Sequence, residues 1–62
     1  MRHLTLIYAY YDNPGMLERQ YLEWTRYSAW LRRRVSIVLV DDASPRWPAL
    51  DVPRPAGLPA VS

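Results

Sequence analysis

The sequence predicts an α/β fold built on one βαβ unit. Three observations lead there. Two nearly continuous apolar runs, LTLIYAY at residues 4–10 and VSIVLV at 35–40, are short and rich in β-branched and aromatic residues. Between them, apolar residues recur at spacings of three and four, the period of one helical face. Asn13 followed by Pro14 marks where the period changes.

The first strand is assigned to 4–10. Its apolarity is continuous rather than alternating, which suits a strand covered on both faces in a parallel sheet. The segment YDNPG breaks it. Asn13 reads as an N-cap and Pro14 as the first helical residue, where the missing N–H costs nothing. A helix is predicted over about 14–31. Leu17, Tyr21, Trp24, Ser28 and Leu31 share its inner face, widened by Met16, Gln20, Tyr27 and Trp30. The aromatics at this spacing read as packing residues rather than a cofactor box. Arg32, Arg33 and Arg34 follow, and read as a solvated helix end where cations suit the negative pole of the dipole.

The second strand is assigned to 35–40. Strand, helix and strand within about forty residues make one βαβ unit with parallel strands. From Pro45 onward come five of the six prolines. Proline lacks a donor and fixes φ, so 46–62 reads as a Pro-rich loop or irregular tail rather than helix or central strand. The chain thus divides into a partial α/β unit at 1–45 and that tail at 46–62.

Composition narrows the function classes. A chain of 62 residues is small for an independent core. It has no cysteine, and its single histidine, His3, cannot build a metal site alone. Eight arginines against six acidic residues give a net charge of +2, too small to argue for nucleic acid. No stretch approaches the ~20 apolar residues of a membrane span, and the N-terminal apolar run is too short for a signal peptide. A cytoplasmic location is the default expectation. One helix cannot cover both faces of a two-stranded sheet, so apolar surface is expected to stay exposed and invite self-association. On that ground the chain reads as the first βαβ of something larger.

In open α/β sheets, ligands bind beyond the carboxyl ends of the strands. The first strand delivers Tyr10, Tyr11, Asp12 and Asn13 to that edge. The second delivers Asp41, Asp42 and Ser44. A carboxylate there can accept hydrogen bonds from a ribose or a nucleobase, and a tyrosine offers a face for stacking. There is no glycine-rich phosphate loop, which argues against the dinucleotide-binding type. On the residues alone two readings stand side by side. The aspartates contact a nucleotide, or they end a strand and cap a turn with Ser44 and Pro45.

The segments LTLIYAYYDNPGMLERQ and VSIVLVDDASP together resemble the opening of a family 2 glycosyltransferase with the GT-A, Rossmann-like fold. The resemblance spans roughly residues 4–45. It implies that the first two strand ends hold the nucleotide of a nucleotide-sugar donor, a UDP-sugar in the first instance. By position, Ala9 would offer backbone contact near the base, Tyr11 would pack on the uracil, and Asp42 would accept from the base N–H. Asp41 would support the loop, and Asp12 and Asn13 complete the set. The family's metal-binding D-x-D and its later catalytic carboxylate do not occur in this chain. The resemblance therefore implies no cofactor here, with Mg or Mn expected only in a complete family member, and no transferase activity from this chain alone. The alternative is a non-enzymatic α/β interaction module, or a truncated chain without function.

Overall fold

A computed structural model describes residues 3–62. The order is β1 (Leu4–Tyr10), α1 (Pro14–Thr25), α2 (Ala29–Arg32), β2 (Val35–Asp41), a 3-10 helix at Ala49–Asp51, and β3 (Ala60–Val61). The strands form one parallel sheet in the order β1-β2-β3. The α/β class and the parallel pairing of the two apolar runs are as the sequence predicts. The register runs without a break from Leu4↔Val35 to Tyr10↔Asp41.

Two expectations need correction. The predicted helix over 14–31 is two helices. α1 stops at Thr25, whose hydroxyl turns back to the Leu22 carbonyl at 2.6 Å. Ser28 then adopts an extended conformation (φ −59°, ψ 156°) and caps α2 through Ser28 Oγ, which accepts from the Leu31 N–H at 3.1 Å. Serine competes with helix by bonding to nearby backbone, and here that local bond wins over the continuing apolar period. Met16, in the first turn of α1, and Trp30, in α2, are both exposed rather than part of the inner face. Trp30 instead lies under the Arg34 guanidinium, 4.1 Å from its ring centroid.

The proline-rich segment is not irregular throughout. It makes the 3-10 helix and then β3, which pairs with β2 at Ser36↔Ala60 and Ile37↔Val61. β3 is a two-residue edge strand placed directly after Pro59, the position where proline does not cost a ladder bond. Arg32 helps hold this return, since its guanidinium donates to the Gly57 carbonyl at 2.8 Å.

Coverage of the sheet follows the expectation for a single helix layer. The core lies on one face of the sheet only. It comprises Leu17, Tyr21 and Trp24 of α1, Tyr10 of β1, Val35 and Ile37 of β2, and Ala49 and Val52 from the last segment. Trp24 sits at its centre, edge-on to Tyr8 (centroids 5.6 Å apart, 84°) and tilted against Tyr21 at 5.9 Å. Such aromatic pairs add about 0.5–1.5 kcal/mol each beyond their buried area. The register places Thr5, Ile7 and Ala9 beside Ser36, Val38 and Val40 on the opposite face. Ile7 is 75% exposed and Val40 46% there, the uncovered apolar surface expected when one helix cannot cover both faces.

Candidate functional site

The carboxyl ends of β1 and β2 meet because the strands are parallel and in register. Tyr10 pairs with Asp41, and the Asp42 N–H donates to the Tyr10 carbonyl at 3.0 Å, adding one more rung. Beyond it the two chains leave the sheet in left-handed turns. Asp12 has φ 45° and Ala43 has φ 54°. Aspartate tolerates this region through local hydrogen bonding; for alanine it costs about 1–2 kcal/mol.

A network of carboxylates and backbone donors holds the turns. Asp12 Oδ1 accepts from the N–H groups of Arg46 at 3.0 Å and Trp47 at 2.7 Å. The Asp12 N–H donates to Ser44 Oγ at 2.8 Å. Ser44 donates twice to Asp41 Oδ1, through its hydroxyl at 2.6 Å and its N–H at 3.0 Å. Asp41 Oδ2 accepts from the Ala49 N–H at 2.8 Å, anchoring the 3-10 helix. The Ser44 hydroxyl, then the Ala49 N–H, hold the Asp41 carboxyl below its usual value, against a smaller opposing effect of desolvation.

The residues predicted for nucleotide contact therefore divide. Asp12 and Asp41 are engaged with the chain's own backbone. Asn13 caps α1, its Oδ1 accepting from the Met16 N–H at 3.2 Å. Ala9 lies within the β1–β2 ladder opposite Val40, on the uncovered face. Tyr11 and Asp42 remain: both are exposed, and neither side chain takes part in a hydrogen bond or ion pair among the described residues. Both follow directly on the last residue pair of the ladder, Tyr10 and Asp41, one on each strand.

Sequence reasoning missed the donors that Asp12 and Asp41 capture, the N–H groups of Arg46, Trp47 and Ala49. It also missed the bond from the Tyr10 hydroxyl to the Trp47 carbonyl. Backbone groups carry no residue signature, so only the Ser44-Pro45 turn signal pointed toward this loop.

Among the described residues, no group of three His, Cys, Asp or Glu is placed to hold a metal ion. No helix of the described residues is long and apolar enough to cross a membrane. A scan of protein-family models, a search of curated proteins and a search of solved structures each find no match to this chain.

Proposed function

We propose that this chain is a nucleotide-binding unit of the family 2 glycosyltransferase type, with a GT-A-like βαβ core. It holds the nucleoside of a nucleotide-sugar donor, a UDP-sugar, at the carboxyl edge of β1 and β2. The reaction it serves is transfer of the sugar to an acceptor hydroxyl. One observation carries the reading: the parallel register brings Tyr11 and Asp42 to the same edge, exposed and unengaged. A ring that can stack and a carboxylate that can accept an N–H are the two contacts a uracil base asks for. The resemblance of residues 4–45 supports the same assignment. Because D-x-D and the catalytic carboxylate do not occur in these 62 residues, the role proposed is donor binding rather than chemistry.

The test is titration of UDP into the isotope-labelled chain, followed residue by residue by NMR. Shifts concentrated at Tyr11, Asp41 and Asp42, and lost in Asp42→Ala, are expected. A folded chain that shows no shift at these residues in millimolar UDP would overturn the reading.

The uncovered sheet face favours a second reading, a non-enzymatic module that binds a partner chain or itself. It predicts that Asp42→Ala leaves function intact, whereas charge placed at Ile7 abolishes it.

A further inference from the structure

The loops after β1 and β2 are far apart in sequence, and the Asp42 N–H to Tyr10 carbonyl bond is their last rung in the sheet. Beyond that rung Asp12 Oδ1 takes the Arg46 and Trp47 N–H groups, and the Tyr10 hydroxyl reaches the Trp47 carbonyl. Ser44 supplies a further link at the turns themselves. Its hydroxyl uses both of its capacities at once, donating to Asp41 Oδ1 at 2.6 Å while accepting from the Asp12 N–H at 2.8 Å. Asp12 stands in the left-handed region, and its side chain reaches on to Arg46 and Trp47. Ser44 is thus the hub of a closed circuit that runs through both loops, and Tyr11 and Asp42 lie directly beside its members.

We propose that Ser44 is a positioning residue, locking the two loops together so that Tyr11 and Asp42 meet the nucleoside at a fixed separation. This rests on the nucleotide reading given above. Only a group that donates and accepts from one small atom fits between Asp41 and the Asp12 N–H. Alanine breaks the link without touching Tyr11 or Asp42, and threonine preserves it. Ser44 also bears on pH, because its hydroxyl is the largest influence keeping Asp41 ionised. Without it the acid limb of nucleotide binding moves to higher pH.

The experiment measures the UDP dissociation constant from about pH 2.5 to about pH 7, and amide hydrogen exchange at Asp12, in wild type, Ser44→Ala and Ser44→Thr. The expected result is faster Asp12 exchange and weaker UDP binding in Ser44→Ala, each by about tenfold. The acid limb shifts upward, and Ser44→Thr restores all three readouts. If Ser44→Ala unfolds, Ser44→Cys takes its place as a near-isostere with a weaker donor and acceptor. Wild-type binding of UDP with unchanged affinity in the folded variant overturns the positioning role alone. Absence of UDP binding by folded wild type overturns the nucleotide reading, and the positioning role with it.

Discussion

The hydroxyl of Tyr10 donates to the carbonyl oxygen of Trp47, tying the last residue of β1 to the loop after β2. Tyr10 is 3% exposed, so the bond satisfies a phenol that has no access to water. It also places an aromatic ring under the turn that Asp12 and Asp41 organise. Burial, with Asp12 and Asp41 nearby as like charges, raises the Tyr10 phenol above its ordinary value of 10.0.

Tyr10→Phe should lower the melting temperature by about 4–8 °C, because the Trp47 carbonyl loses its donor. The pH dependence has a definite sign. The folded pKa lies above the unfolded one, so the Tyr10 contribution is full below about pH 10 and is lost as pH rises through the folded value. Urea midpoints between about pH 8 and about pH 11 should fall more steeply in wild type than in Tyr10→Phe. Equal slopes would remove Tyr10 as the cause.

Asp41 acts on the acid side. Its folded pKa is depressed, so its contribution is present above the unfolded value near 3.8 and is lost as pH falls through the folded value. Denaturation curves at stepwise lower pH should show stability declining from about pH 4 downward. Asp41→Asn should be less stable at neutral pH and flatter in acid. A variant as stable as wild type at pH 7 would show that the Ser44 and Ala49 bonds contribute nothing net.

Asp42→Ala should separate binding from folding. The side chain is exposed and unengaged, so stability should stay within about 0.5 kcal/mol of wild type. UDP affinity should fall about tenfold or more, the usual loss when a charged acceptor is removed. Calorimetric titration and a thermal melt on the same sample decide both halves.

Leu17→Ala should be the most damaging of these changes. Leu17 has no exposed surface and belongs to the core cluster with Tyr21 and Trp24. Such truncations cost about 2–5 kcal/mol, a large share of the stability open to so small a chain. Loss of the near-ultraviolet aromatic signal at 25 °C (~298 K) is expected.

Ile7→Lys tests the uncovered face. A charge there should reduce self-association without lowering monomer stability by more than about 0.5 kcal/mol. Sedimentation velocity across a concentration series is the measurement. Unchanged association by Ile7→Lys would place the contact elsewhere, for example at the exposed Leu22 or Trp47.

Much of this was legible in the sequence because its causes are local. The Asn13 cap and Pro14 start of α1 follow from side chains bonding within one turn. The inner face of α1 at Leu17, Tyr21 and Trp24 follows from the helical period. The break at Ser28 was misread because its apolar neighbours at Tyr27, Trp30 and Leu31 fit the period, and period outweighed a single capping residue. The short β3 was not legible, since two residues after a proline carry no strand pattern and depend on the open edge of β2.

The amino-acid sequence by itself determined that two apolar strands flank an amphipathic helix, and that Tyr11, Asp12, Asn13, Asp41 and Asp42 follow the strand ends. Those are consequences of period, propensity and order along the chain. The tertiary structure decided which of those polar groups stay free. Asp12, Asp41 and Asn13 are satisfied by backbone N–H groups, whereas Tyr11 and Asp42 are not. The physical reason is clearest at Asp12, whose partner is an amide from a distant segment. Only the register of β1 on β2 and the return of residues 42–49 across the sheet edge bring that amide within 3.0 Å.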